Sequence, residues 1–177
     1  MNYFISDLHF GHENIVRLCN RPFPSAEEMD EYFIQEWNKT VHRNDQVYII
    51  GDMIFKSAKS PEYYLQRLRG EKRLIIGNHD TSWMGKTDLL KHFKSVQWMT
   101  VINTGKGKAT LCHFPTLDYE GKYMIHGHIH AKADALEYWD FLKSHETILN
   151  AGVDVNGYKP VSIDELIENN IRFKSEN

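Results

Sequence analysis

Five short polar runs in this chain carry residue types that do chemistry. They are Asp7 and His9 in "SDLHFGHEN", Gly51-Asp52, the run Gly77-Asn78-His79-Asp80, His113 after "TLC", and "HGHIH" from His126 to His130. An amide, an imidazole and a carboxylate side by side, as in "GNHD", are costly to desolvate unless hydrogen bonds or a metal satisfy them. Taken singly, each run has an ordinary explanation, since Gly-Asp is common turn chemistry and Asn-His suits a cap or a surface turn. Taken together they offer carboxylate, imidazole and amide donors, an intermediate-to-hard set suited to Mn, Fe or Zn rather than to a thiolate-loving ion. Seven candidate ligands exceed what one tetrahedral ion takes, and Asp52 can bridge through its two oxygens, so two metals is the natural count. In "DLH" and "HIH" the i, i+2 spacing on an extended backbone would turn both side chains of each doublet towards one site.

These runs need elements to hold them. Apolar segments rich in β-branched and aromatic residues occur at "YFIS", "QVYII", "RLII", "WMTVI", "ATLC", "YMI" and "TILN", each of strand length. Every polar run falls at the C-terminal end of one of them, the edge of an α/β sheet where ligands bind. Helices are expected over "SAEEMDEYFIQEWNKTV", with Ser25 and Glu28 in capping-box spacing, and over "SPEYYLQRLRG", with Ser60 as N-cap and Gly70 as stop. "SIDELIENN" repeats the capping box with Ser162 and Glu165. Strands and helices alternate in the first half, and the second half has consecutive strands with a hairpin signal at "NTGKGK". The expectation is an α/β layered fold with mixed sheets, one domain over residues 1–177. "AKADALEYWDFLKSHE" reads equally as a helical or a looped insertion, leaving the role of residues 131–146 open.

Composition excludes several classes. No apolar run approaches the roughly 20 residues of a bilayer span, and "MNYFISDLHF" has no basic region followed by an apolar stretch, so a cytoplasmic protein without a membrane partner is expected. Cys19 and Cys112 lack C-x-x-C spacing and imply neither a disulfide framework nor a thiolate zinc site. A net charge of -3 provides no basic field for gripping long duplexes.

The ordered series D-x-H, G-D, G-N-H-D, H, G-H-x-H, from Asp7 to His130, resembles the calcineurin-like metallophosphoesterase superfamily. "HFGHENI", "RPF" and "NAGVDVNGYKPVS" are similar to its small bacterial and phage branch. The resemblance implies an α/β/β/α sandwich, two mixed β-sheets flanked by helices. It implies one divalent ion on Asp7, His9, Asp52 and His130 and a second on Asp52, Asn78, His113 and His128. His79 would be a catalytic acid or transition-state donor, oriented by Asp80. Mn is the favoured metal, with Fe, Zn or Mg as alternatives. The expected activity is hydrolysis of a phosphodiester, in a nucleotide or small nucleic acid, by a hydroxide shared between the two ions. Only "FPTLDYEGKYMIHG" separates His113 from His128, leaving little room for a large specificity cap. Phosphomonoesterase activity is the alternative within the enzyme class, and a catalytically silent metal-binding interaction module the alternative outside it. A nuclease acting on long DNA or RNA is disfavoured by the acidic balance; the oligomeric state is open.

Other residues keep two explanations. His12 and Asn14 could touch a substrate phosphate or serve a loop or helix cap, and Arg21 could clamp a phosphate bidentately or form a salt bridge. His126 suits packing behind the ligands. His42, His92 and His145 read as solvated, and Asn150 and Asp154 as turn residues near the site. Tyr138, Trp139 and Phe141 could stack on a base or pack in a core.

Overall fold

The computed structural model describes residues 1–131 and 136–176. Strands β1 (Asn2–Ile5), β2 (Gln46–Ile50), β3 (Glu71–Ile75) and β4 (Phe93–Gln97) form one sheet in that order, all neighbours parallel. A second sheet has the order β5 (Met99–Asn103), β6 (Lys108–Cys112), β7 (Tyr123–His126) and β8 (Ile148–Asn150). Its β5–β6 pair is antiparallel, from Met99↔Cys112 to Asn103↔Lys108, which places the expected hairpin at "NTGKGK"; β6, β7 and β8 run parallel. Helices are α1 (Glu13–Leu18), α2 (Ala26–Thr40), α3 (Pro61–Leu65), α4 (Thr81–Met84), α5 (Leu89–His92), α6 (Leu136–Lys143) and α7 (Ile163–Glu176).

The period of two along each strand sorts side chains between two cores. On one face of the first sheet, Tyr3, Ile5, Val47, Ile49 and Leu74 pack on Ile15, Met29, Phe33, Trp37, Tyr64 and Leu65 of α1 to α3. On the other face, Phe4, Tyr48, Ile50 and Ile75 meet Leu111, Ile125 and Leu149 of the second sheet. Beyond the second sheet, Met124 and Ile148 pack on Trp139 and Leu142 of α6 and on Phe173 of α7. The result is the expected α/β/β/α sandwich. Because both faces of the first sheet are covered, "QVYII" is a nearly continuous apolar run, as parallel strands require.

The caps explain where the longer helices begin. Ser25 Oγ accepts from the Glu28 N–H at 3.2 Å and opens α2, whose Met29, Phe33 and Trp37 form the buried stripe. At α7 the capping box is reciprocal: Glu165 N–H donates to Ser162 Oγ and Ser162 N–H to Glu165 Oε2. Two features depart from the sequence expectation, and one open reading is resolved in part. Helix α3 ends at Leu65 rather than running to Gly70, and its last residues form turns. Strand β4, "FKSVQ", is an edge strand with only Phe93 buried, so its polar residues conceal it. In "AKADALEYWDFLKSHE", α6 shows the second half to be helical, while residues 132–135 lie outside the described residues. Among the described residues no helix is long and apolar enough to cross a membrane.

Candidate metal centre

The chains leaving β1 and β2 continue side by side beyond the sheet. The N–H groups of Asp7, His9 and Phe10 donate to the carbonyls of Gly51, Asp52 and Met53 at 3.0, 3.0 and 2.9 Å. They do so on a kinked backbone. Asp7 (φ 58°), His9 (φ 51°), Asp52 (φ 55°) and His128 (φ 67°) all occupy the left-handed region. The "DLH" and "HIH" doublets therefore do not reach the site on extended strands; left-handed turns aim them. Such conformations cost on the order of 1–3 kcal/mol each and persist only where surrounding contacts impose them. Those contacts are close: a Cβ at Gly77 would collide with the Asp52 carboxylate, and one at Gly127 with the Ser6 hydroxyl and the Asp7 carboxylate.

Two triads result. Ligand atoms of Asp7, His9 and His130 lie within 4.8 Å of one another, as do those of Asp52, His113 and His128. Asp52 Oδ2 joins them, 3.8 Å from His9 Nε2 and 3.4 Å from His113 Nε2, while Asn78 Oδ1 lies 3.0 Å from His113 Nε2. Asp52 Oδ1 is already used by the His79 N–H at 2.8 Å. Oδ1 keeps a further lone pair beside that hydrogen bond, so both oxygens of Asp52 remain able to accept, with Oδ2 the one that faces both triads. Two donors each about 2.1 Å from one ion are separated by roughly 3 to 3.5 Å, the scale of these contacts.

The donor chemistry fits cations. His113 Nδ1 faces the Ile50 carbonyl at 2.9 Å and must donate to it, so the neutral ring turns the Nε2 lone pair towards two oxygens, Asn78 Oδ1 and Asp52 Oδ2. Three converging lone pairs demand a proton or a metal. Burial disfavours a charged His113, but the hydrogen-bonded Asp52 carboxylate outweighs it and lifts the ring to about 9. His130 behaves alike: burial opposes its charge, and Asp154, then Cys19 and Asp7, raise it to about 10. His9 is the complement. Burial, followed by the cationic field of His130 and Arg21, holds it well below the usual imidazole range, and both its ring nitrogens are buried with no hydrogen-bond partner. An orphaned neutral imidazole next to two carboxylates has the lone pair and the surroundings to hold a cation.

A supporting shell lies behind the triads. His130 Nδ1 donates to Asp154 Oδ2 at 3.0 Å, leaving Nε2 towards the site, and Asp154 Oδ1 accepts from Arg21 Nε at 2.8 Å. Asp154, expected only as a turn residue, is thus the acceptor that orients a ligand. Arg21 is not a phosphate clamp: its side chain is fully buried, donating also to the Leu8 and Asp7 carbonyls at 3.1 and 2.7 Å, and it fixes the Asp7 loop from beneath. Asp80 also departs from expectation. Its carboxylate accepts from the N–H groups of Asp52, Met53 and Gly77 and from Trp83 Nε1, at 2.8 to 2.9 Å, so it orients the Asp52 loop rather than the His79 ring. The His79 ring packs on Phe55, centroids 4.0 Å apart, with Nε2 3.9 Å from Asp52 Oδ2. His126 sits fully buried behind the ligands, and burial pushes it down to about 4.

Asn150 Nδ2 donates to the Ile129 carbonyl and Oδ1 accepts from Gly152 N–H, both at 2.7 Å, pinning the "HIH" loop. The signal for this shell was the polar cluster "NAGVDVNG", whose partners are remote in sequence. His12, at the N-cap of α1, lies at the margin of the site, its ring 5.7 Å from that of His9. Asn14 faces solvent and accepts from Arg17 at 3.3 Å. His92 is half-buried rather than solvated. A cavity of about 600 Å³ opens over Asp52, Asn78, His79, His128 and His130.

The arrangement suits divalent cations, and the comparisons place the chain among metal-dependent phosphoesterases. The calcineurin-like phosphoesterase family model matches residues 3–169, and the chain belongs to that family. An uncharacterised protein of Methanocaldococcus jannaschii is 36% identical over 168 residues, covering 94% of this chain and 89% of the relative. The Gene 66 protein of Mycobacterium phage L5 is 28% identical, covering 94% and 92%. The crystal structure of a protein of unknown function from Aquifex aeolicus superposes with a TM-score of 0.71 at 27% identity, over 95% of this chain and 98% of that one. The family uses divalent metals and acts on phosphate esters.

Proposed function

We propose that this chain is a dinuclear phosphodiesterase acting on a nucleotide or a small nucleic acid. The observation that carries the reading is the pair of ligand triads meeting at Asp52 Oδ2, with the half-exposed His79 ring beside that oxygen. Asp7, His9, Asp52 and His130 would hold one ion, and Asp52, Asn78, His113 and His128 the other, with Mn favoured. Bound divalent ions supply Lewis-acid polarisation of the phosphoryl oxygens and acidify a water nucleophile.

The protein's own part is positioning and proton transfer. His113 and His130 present Nε2 because Ile50 O and Asp154 hold their Nδ1 protons. Asp80 fixes the Asp52 backbone, so the shared carboxylate cannot swing away. His79, whose N–H is anchored to Asp52 Oδ1, donates its Nε2 proton to the leaving oxygen. Diester preference is supported by the short β6–β7 connection, which brings no cap domain over the site.

The test is turnover of a panel of mono- and diesters after reconstitution with Mn, Fe, Zn or Mg. Faster diester than monoester hydrolysis with Mn is expected. Dominant monoester turnover would replace the diester reading, and metal binding without turnover of any ester would leave a metal-binding module. His79→Ala should retain metal and lose roughly 10²- to 10⁴-fold in kcat, less for nitrophenyl esters, whose leaving group needs little protonation. Equal losses for good and poor leaving groups would remove the proton from its role.

A further inference from the structure

The cavity over the candidate ligands is polar at Asp52, Asn78, His79, His128 and His130 and, Thr116 apart, largely apolar elsewhere. Its apolar wall comes mainly from two separate elements: Phe114, Pro115 and Leu117 of the β6–β7 connection, and Tyr138 and Phe141 of α6. We propose that this wall is the base subsite of a nucleoside phosphoester, in which the Phe114, Tyr138 and Phe141 rings take the faces of the base while the phosphate lies at the triads. The proposal rests on the phosphoesterase reading and names the class of substrate the site selects.

Three observations support a built surface. Phe114 is 42% exposed, yet its ring is held by two proposed ligand imidazoles, 4.6 Å from His128 and 5.2 Å from His113. Helix α6 divides its aromatic residues between two faces: Trp139 and Leu142 are buried in the core, whereas Tyr138 and Phe141, at i and i+3, stay 54% and 39% exposed and line the cavity. Aromatic surface left in water on the cavity side gains nothing for the fold. Trp139 also separates from its neighbours in function, since Nε1 donates to the His130 carbonyl at 3.1 Å and ties the helix bearing the two rings to a ligand loop. Of the two explanations open for these three residues, core packing therefore holds for Trp139 alone.

The chemistry selects the occupant. Flat aromatic walls favour a ring with two π-faces, and Tyr138 adds a hydroxyl at its rim. Among the described residues no Lys or Arg lines the cavity, so none of these pairs with a second phosphate beyond the triads. A volume near 600 Å³ suits a whole nucleoside and would be mostly unfilled by a bare phosphate. A nucleoside carrying one phosphate, as in a cyclic mononucleotide or a dinucleotide diester, meets all three conditions.

The test is calorimetric titration of the Mn-loaded full chain with adenosine 5′-monophosphate, methyl phosphate and octyl phosphate. The adenosine compound is expected to bind roughly 5- to 150-fold more tightly than methyl phosphate, the range one stacked base confers. Tyr138→Leu and Phe114→Leu should bring the ratio of those two affinities towards one, and Tyr138→Trp should preserve it. Equal affinity of the two in the unaltered protein, tighter binding of octyl phosphate than of the nucleotide, or a ratio unchanged in both Leu variants would each overturn the subsite. The two readings fail differently. Ester hydrolysis without a base preference removes the subsite and leaves the hydrolase, whereas a base preference without any hydrolysis removes the hydrolase and leaves the subsite.

Discussion

The two sheets deliver their side chains to the centre by different means. The loops after the first sheet are held through the backbone: Asp7, His9 and Asp52 sit in left-handed conformations, with carbonyls or N–H groups bound by neighbouring loops, by Arg21 and by Asp80. After the second sheet two imidazoles are held through their side chains by the remote nitrogen, whereas His128 is placed by left-handed backbone and by its N–H donating to the Asp7 carboxylate. His113 is anchored to the Ile50 carbonyl and His130 to Asp154. A carboxylate is steadied by donors aimed at it, as Ser6 Oγ and the His128 N–H are at Asp7 and the His79 N–H is at Asp52, whereas an imidazole has a second nitrogen that His113 and His130 use and His9 does not. The half rich in carboxylates is accordingly expected to be the stiffer one, and the imidazole half the more sensitive to a single hydrogen bond.

The largest break should come where the halves meet. Asp52→Asn removes the charge and weakens the shared oxygen that both triads face, so neither site is complete. Metal analysis of the purified variant should show loss at both positions, with activity down by roughly 10³-fold or more, equivalent to several kcal/mol of transition-state stabilisation. Two ions per chain held at normal affinity would mean that Asp52 does not join the sites.

A smaller break should affect the imidazole half alone. Asp154→Asn keeps the shape and replaces a charged acceptor on His130 Nδ1 by a neutral one, and it also leaves Arg21 without its counter-charge. Metal affinity at the site containing His130 is expected to fall roughly 10- to 100-fold, while the site containing His113 falls less. Titrating the two affinities separately checks this. Equal weakening of both would show that the acceptor's effect spreads through Arg21 to the Asp7 loop, and the contrast between the halves would shrink.

The same contrast explains what the sequence disclosed. Apolar strands ending on polar runs made the strand ends and the candidate ligands legible, because a buried strand and a strand-end cluster are both local patterns. The same alternation pointed to a layered α/β fold, and the family resemblance implied the α/β/β/α sandwich. What stayed hidden depends on partners distant along the chain. Asp154 is 133 residues from Arg21, and nothing in "RPF" reveals that its guanidinium is buried under the Asp7 loop. Left-handed backbone at Asp7 and His9 was hidden too, since period-two spacing describes extended chain only. Strand β4 escaped because an edge strand exposed to solvent needs no apolar run. Asp80 misled for another reason: the family resemblance implied that it orients His79, whereas the turn directs its carboxylate back to the Asp52 backbone.

The smallest expected effect sharpens the comparison from the backbone side. Asp30, on α2, accepts the Gly11 N–H with both oxygens at 3.0 Å and the Tyr64 hydroxyl at 2.9 Å, so it braces the loop that follows His9. Burial raises its carboxyl to about 6, against the opposing effect of those hydrogen bonds. Because the folded state holds the proton more tightly than the unfolded chain, the contribution is fully present below about pH 4, where both states are protonated. It is lost as pH rises through about 6. The penalty at neutral pH is on the order of 2–3 kcal/mol. Asp30→Asn can keep the acceptor for Gly11 and Tyr64 without the titration. Denaturant midpoints measured from pH 4 to pH 7 should therefore fall less steeply for the variant than for the unaltered protein, with metal affinity nearly unchanged. Parallel pH profiles would show that Asp30 stays ionised in the fold. A large loss of metal affinity would show that the charge itself, and not only the bracing hydrogen bonds, reaches the centre through Gly11.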